Sequence, residues 1–193
     1  YQSFGIGKRF ESLASVPLAW KDSEPADCTS FPAREGFADL LAVFSEPADR
    51  LPGGVAWTTA TNQDGGYLWF SIRDPRVLPA TVFWMENHGR HGAPWNGRNR
   101  SLGLEDVCGY LNEGMPLSAQ PNDVNARGIP TAVELKADRP TEINYIQGVA
   151  KIPADFRMVK DIEFGSGEVT FVSVTGKKVT VPLNFEFART GKL

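Results

Sequence analysis

The sequence predicts an all-β fold, an antiparallel sandwich of short strands with few short helices. Its 193 residues include 19 glycines and 14 prolines, a content typical of a chain with many turns. Between these turns, short runs rich in β-branched and aromatic residues recur at close spacing, as they do in sandwiches. The sequence has neither a strand–helix alternation nor a glycine-rich phosphate loop, which disfavours the nucleotide-binding folds.

The first half of the chain predicts a hairpin and a central strand. Residues 54–61 (GVAWTTAT) and 67–73 (YLWFSIR) are strand-like, and the NQDGG segment between them suits a tight turn. Residues 80–86 (ATVFWME) are almost continuously apolar, which favours a central strand. Residues 16–20 (VPLAW) predict a short strand, whereas residues 34–45 (REGFADLLAVFS) fit a helix or a strand equally well.

The second half predicts further strands separated by one long loop. Residues 101–107 (SLGLEDV) form a strand, and a helical turn follows that ends at Gly114. Residues 115–130 read as loop by composition, and residues 156–164 fit a helix or a strand. The four remaining predicted strands are TAVELK (131–136), TEINYIQGVA (141–150), EVTFVSVT (168–175) and KKVTVPLNFEF (177–187).

Composition limits the classes of partner. The net charge of −3 argues against a general nucleic-acid binder, which needs many cationic groups at phosphates. No apolar run approaches the roughly 20 residues of a membrane span, so we expect no membrane association. Cys28 and Cys108 are far apart and belong to no metal-binding pattern. We therefore expect two free thiols, as in a protein of the reducing cytoplasm. We also expect the protein to be a monomer or a homodimer.

Residues 87–100 (NHGRHGAPWNGRNR) concentrate side chains that bind polar ligands. This segment holds both histidines of the chain, three arginines, three asparagines and a tryptophan. Planar polar groups suit the paired hydrogen bonds of sugar hydroxyls, and an indole ring suits the C–H face of a sugar. Glycines and a proline restrict the loop, which lowers the entropic cost of binding. The predicted sugar-binding residues are Arg90, His91, Trp95, Asn96, Arg98 and Asp106.

Other interpretations of this segment remain open. A phosphate group would also suit the arginines, so the ligand is a sugar or a sugar phosphate. The arginines could instead form structural ion pairs with Glu86, Glu105 and Asp106. His88 and His91 have no carboxylate or cysteine companion at helical spacing, so we predict no metal site.

Glu105 is the candidate general base. It follows apolar strand residues, where partial burial would raise its pKa toward the range useful for proton transfer. In an extended strand, Asp106 points to the opposite face, so one carboxylate faces the site and the other faces away. The alternative for this pair is a helix N-terminus carrying two carboxylates, which is stabilising.

Residues 81–110 (TVFWMENHGRHGAPWNGRNRSLGLEDVCGY) resemble the aldose 1-epimerase, or galactose mutarotase-like, superfamily. The likeness is to a bacterial branch with the signature GRH…PWNGR…LGLEDV, and residues 128–135 (GIPTAVEL) are similar as well. It spans roughly residues 16–150 and is specific at this signature. The resemblance implies an antiparallel β-supersandwich, with residues 1–193 forming one domain that lacks some N-terminal strands of a typical member.

The resemblance also implies a reaction. Family epimerases interconvert sugar anomers with a glutamate base, to which Glu105 corresponds, and a histidine acid that lies upstream of it. No histidine precedes His88 here, so His88 is the candidate acid by its chemistry and not by alignment. Mutarotation needs one acid and one base on opposite sides of the sugar and no cofactor. The alternatives are a non-catalytic carbohydrate-binding module and a purely structural sandwich.

Overall fold

The computed structural model describes residues 8–18 and 24–193 and confirms the all-β fold. The described residues form three antiparallel three-stranded sheets and two short α-helices. The strands are β1 (Phe37–Phe44), β2 (Ala56–Asn62), β3 (Tyr67–Arg73), β4 (Ala80–Asn87), β5 (Arg100–Val107), β6 (Tyr145–Lys151), β7 (Val159–Gly165), β8 (Glu168–Ser173) and β9 (Lys178–Pro182). The helices are α1 (Gly114–Ser118) and α2 (Phe187–Thr190).

The first sheet has the order β1-β4-β5 and carries the loop of interest between β4 and β5. The apolar strand β4 is central, as predicted, and the ambiguous segment at residues 34–45 contains strand β1. Leu41 and Met85 lie on one face of this sheet and pack with the buried residues Val16 and Cys28 from the segment before β1. The pairing of the outer strands with β4 therefore fixes both ends of the loop.

The other two sheets enclose the larger apolar core. The hairpin of β2 and β3 pairs with β6, and β7, β8 and β9 form the third sheet. Alternation along β3 turns Leu68, Phe70 and Ile72 toward Val169 and Phe171 of β8, with the rings of Phe70 and Phe171 4.8 Å apart. These five side chains are at most 2% exposed, so this contact is a main source of apolar stabilisation.

A buried ion pair joins the first sheet to the second. Arg73 Nη1 of β3 lies 3.1 Å from Asp106 Oδ1 of β5, and both side chains are almost fully buried. A relay of hydroxyl groups runs beside this pair. Arg73 donates to Thr58 Oγ1 at 3.0 Å, Thr58 and Thr81 Oγ1 are 2.7 Å apart, and Thr81 donates to Asp106 Oδ1 at 2.7 Å. Burial lowers the pKa of Arg73, whereas the Asp106 carboxylate opposes this shift.

Several local predictions are wrong. Residues 131–136 form no strand, because no strand in the described part of the chain pairs with their backbone; instead Thr131 Oγ1 donates to Ser118 O at 2.7 Å. The segment 115–130 contains most of α1 and a short 3-10 turn. Gly114, at φ 80°, directly follows a 3-10 turn and is the first residue of α1, so it does not end the helical segment. The last strand stops at Pro182 and α2 follows.

The N-terminal prediction is only partly described. Val16 pairs with Ala26 in a single antiparallel bridge, whereas residues 19 and 20 of the predicted short strand lie outside the described residues. In the described part of the chain, no helix has the length and apolar character needed to cross a bilayer.

Both cysteines are free thiols, as predicted. Cys28 is buried under the first sheet, and this burial, with a smaller effect of the Asp39 carboxylate, raises its pKa to about 11. The folded protein favours the neutral form of the Cys28 thiol. This preference therefore contributes fully to the free energy of unfolding at pH values below 9.0, the ordinary pKa of a cysteine thiol. That contribution is lost as the pH rises from about 9 toward 11.

We predict that Cys28→Ser isolates this effect. The difference in free energy of unfolding between wild type and C28S should shrink by about 1 kcal/mol between pH 8 and pH 10. Urea denaturation at both pH values measures it, and the comparison with C28S at each pH cancels the alkaline destabilisation that both proteins share. A wild-type to C28S difference that stays constant with pH would contradict the buried-thiol account.

We predict a large loss of stability for Asp106→Ala. This variant leaves the Arg73 guanidinium buried without its carboxylate partner, which should cost roughly 3–5 kcal/mol in urea denaturation. The control is Glu163→Ala, because Glu163 pairs with Lys178 at 2.6 Å while both side chains are about half exposed. That change should cost under about 1 kcal/mol. If the two losses are similar, the Arg73–Asp106 pair does not hold the two sheets together.

Candidate functional site

Glu86 organises the start of the loop between β4 and β5. Its side chain is fully buried near the end of β4. Its Oε1 atom accepts hydrogen bonds from the backbone N–H groups of Gly89, at 2.8 Å, and of Arg90, at 3.1 Å. Its Oε2 atom lies 3.4 Å from Arg90 Nε. A carboxylate in an apolar strand is costly unless it is neutralised and hydrogen-bonded. The loop backbone and the Arg90 guanidinium therefore fold back onto Glu86.

Arg90 lies between two tryptophans. Its Cζ atom is 4.8 Å from the ring centroid of Trp84 and 5.2 Å from that of Trp95, so the guanidinium stacks between both indoles. Trp84 is partly buried on β4, whereas Trp95 is 39% exposed. Because Arg90 contacts both rings, Trp95 is held on the same face of the first sheet as Trp84, with part of its ring in solvent.

Backbone hydrogen bonds fix the rest of the loop. His88 N–H donates to Asn99 O, and Gly97 N–H donates to Arg90 O, both at 2.8 Å. His88 and Asn96 have positive φ values of 63° and 51°, which few residues other than glycine adopt and which cost on the order of 1 kcal/mol each. The loop therefore holds a strained conformation, as binding loops often do.

Gly89 is required where the loop crosses β1. A Cβ atom at this position would lie 2.1 Å from the backbone nitrogen of Ala38. No side chain fits at that distance, so the close crossing depends on glycine.

His88 uses one ring nitrogen to hold the loop. Its Nδ1 atom is 2.8 Å from Gly97 O, and a carbonyl oxygen only accepts, so Nδ1 carries the proton. In the neutral ring Nε2 is then an acceptor, and His88 can donate from Nε2 only as an imidazolium. This geometry restricts the acid role that the sequence suggested for His88.

Glu105 lies on β5 beside Trp84. The strand register places Glu105 opposite Val82 and Gly103 opposite Trp84, so Glu105 and Trp84 share one face of the sheet. A Cβ atom on Gly103 would be 3.2 Å from a Trp84 ring atom and 3.6 Å from Glu105 Oε1. The absence of a side chain at Gly103 thus leaves the carboxylate next to the indole.

The prediction that Glu105 is partly buried is wrong, because its side chain is exposed. The expected alternation is confirmed: Asp106 points to the opposite face, where it is buried against Arg73. Asp106, predicted as a sugar-binding residue, is therefore engaged between the sheets on the face away from Trp84 and Glu105. The two carboxylates belong to a strand, and not to the helix N-terminus that was the alternative.

The structural ion-pair interpretation holds for one arginine of the loop. Arg90 pairs with Glu86, whereas Asp106 pairs with Arg73 from another sheet. Within the described residues, neither Arg98 nor Arg100 makes an ion pair. The loop also exposes three further predicted site residues, namely His91, Trp95 and Asn96.

Sequence reasoning missed the central role of Glu86. The available signal was an acidic residue in the strand ATVFWME, whose other residues are almost all apolar. Such a carboxylate needs partners close by, and the loop supplies them. In the residues that the structure describes, no three His, Cys, Asp or Glu side chains are grouped so that they could hold a metal ion.

Comparison with known proteins found no match to this chain among family models, curated proteins or solved structures.

We predict that Glu86→Gln destabilises the fold more than Glu46→Gln. The two glutamates form matched pairs with an arginine four residues later, each at 3.4 Å, but Glu86 is fully buried and the Glu46 side chain is 64% exposed. E86Q should cost roughly 3 kcal/mol in urea denaturation, and E46Q under about 0.5 kcal/mol. Tryptophan fluorescence of folded E86Q should also shift, since Arg90 would no longer be held between the indoles.

Equal stability of the two variants would show that Glu86 does not anchor the loop.

Proposed function

We propose that this chain recognises a carbohydrate on the surface formed by Trp95, Glu105 and the loop of residues 88–99. We further propose that it interconverts sugar anomers there, with Glu105 as the general base. The observation that carries the proposal is the placement of an exposed carboxylate beside Trp84, on the face where Arg90 holds the exposed ring of Trp95.

This arrangement suits a sugar. An exposed indole offers an apolar surface for the C–H face of the ring, and its fixed position lowers the entropic cost of binding. Exposed Asn96 and Arg98 supply amide and guanidinium groups for hydroxyls. Arg90 covers one face of each indole, but Trp84 is partly buried whereas Trp95 is 39% exposed, so Trp95 is the platform that remains accessible.

The proposed chemistry needs two proton transfers. Glu105 removes the proton of the anomeric hydroxyl while an acid protonates the ring oxygen, and the C1–O5 bond breaks to give the open-chain aldehyde. Rotation of the aldehyde and the reverse steps close the ring with the other configuration. His88 supplies the acid only as the imidazolium, because its neutral Nε2 carries no proton.

The second candidate is a carbohydrate-binding module without catalysis. The hydrogen bond from His88 Nδ1 to Gly97 favours it, since it leaves neutral His88 without a proton to donate toward a ligand. Such a module would bind sugars through Trp95 and the arginines of the loop, and its sugar affinity would not depend on the charge of Glu105.

Glu105→Gln separates the two candidates. For an epimerase, the rate of α-to-β interconversion of freshly dissolved D-glucose and D-galactose, followed by polarimetry, should fall roughly 10²–10⁴-fold toward the uncatalysed rate. Sugar affinity should change little. The control is Glu168→Gln, another exposed glutamate on a strand, which should retain full activity.

If E105Q equilibrates anomers at the wild-type rate, Glu105 is not the base. If no variant catalyses the interconversion while sugars still bind, the module is the correct function.

Trp95→Ala tests the platform. Loss of the exposed indole should weaken sugar binding roughly tenfold, whereas Trp95→Phe should retain most of the affinity because it keeps an aromatic face. Isothermal titration calorimetry measures this, with circular dichroism to verify that both variants are folded. Unchanged affinity in W95A would place the sugar elsewhere.

A further inference from the structure

The loop region is rich in basic side chains. Residues 87–104 contain three arginines and two histidines and no aspartate or glutamate, although the whole chain has a net charge of −3. Long stretches with one sign of charge attract ligands of the opposite sign when their side chains are exposed.

Arg90 is neutralised, because the buried Glu86 carboxylate faces its guanidinium. Arg98 is different: it is exposed, and within residues 8–18 and 24–193 it makes no ion pair. His91 is exposed as well, and its Nδ1 lies 3.4 Å from the position that a Cβ atom would take on Gly97. His91 thus lies against the residue that precedes Arg98.

Glu105 does not compensate this charge. Its carboxylate is exposed on β5 and makes no ion pair among the described residues, so it is not the partner of Arg98. An anion bound next to Glu105 would be repelled by it. Any anionic group of a ligand therefore belongs at the end of the surface formed by His91 and Arg98.

We infer that the ligand of this surface is an anionic sugar, whose carboxylate or phosphate group is bound by Arg98 with His91 beside it. This inference rests on the proposed carbohydrate recognition and specifies its substrate class. The planar guanidinium donates two parallel hydrogen bonds to either anion. The hydrogen bonds Arg98 N–H to Trp95 O at 3.1 Å and Gly97 N–H to Arg90 O fix the backbone on which Arg98 is presented.

Arg100 provides a matched control. It is also exposed, lies two residues further along, and makes no ion pair in the described part of the chain. Arg100 pairs with Asn87 at the start of β5, and the alternation of the strand places its side chain on the face opposite to Glu105. Removing Arg100 therefore changes the net charge equally without removing the proposed anion contact.

The experiment compares D-glucose, D-glucuronate and D-glucose 6-phosphate by isothermal titration calorimetry at low salt. We expect at least one anionic sugar to bind about tenfold more tightly than D-glucose, and added NaCl to reduce this advantage. Which of the two binds more tightly identifies the anion as carboxylate or phosphate. Arg98→Ala should abolish the advantage and weaken D-glucose binding by a smaller factor, because D-glucose loses only a hydroxyl contact, whereas Arg100→Ala should change each affinity by less than about twofold.

The outcomes separate the inference from the function on which it rests. If all three sugars bind equally, or if R98A and R100A behave alike, the anionic-sugar inference is overturned and carbohydrate recognition stands. If none of the three sugars binds to the folded wild-type protein, the proposed function is overturned as well.

Discussion

The candidate site depends on one buried carboxylate. Glu86 lies in the apolar central strand of the first sheet, and two loop N–H groups and the Arg90 guanidinium surround its oxygens. The energetic cost of burying this charge is offset only when the loop takes one conformation. That conformation places Arg90 between Trp84 and Trp95, and so a burial requirement inside the sheet determines where an exposed aromatic ring stands on the surface.

Strand β5 connects this surface to the rest of the fold. Adjacent residues of an extended strand point to opposite faces, so Asp106 reaches Arg73 in the second sheet while Glu105 faces solvent beside Trp84. The buried pair holds the strand in place, and the exposed carboxylate takes its position from that strand. Stability and the proposed chemistry thus use neighbouring carboxylates that have entirely different surroundings.

Local pattern was enough to predict some elements and not others. The β2–β3 hairpin and the central strand β4 were predictable, because alternation, turn residues and apolar content all agreed. Residues 131–136 have the same strand pattern, but a strand also needs a neighbour for its backbone, and the sequence does not reveal whether one is present. In the site, the opposite orientations of Glu105 and Asp106 followed from strand geometry alone. The Arg73–Asp106 contact joins two sheets, and no local rule predicts such a pairing.

The most direct test of the central claim uses the indole N–H signals of the five tryptophans in a ¹⁵N-labelled sample. Titration with hexoses and hexose phosphates should shift the signal of Trp95, assigned from the Trp95→Phe spectrum, and should leave those of Trp57 and Trp69 in the second sheet unchanged. Shifts at Trp57 or Trp69 with an unchanged Trp95, or no shift at any indole, would contradict a sugar site at this loop.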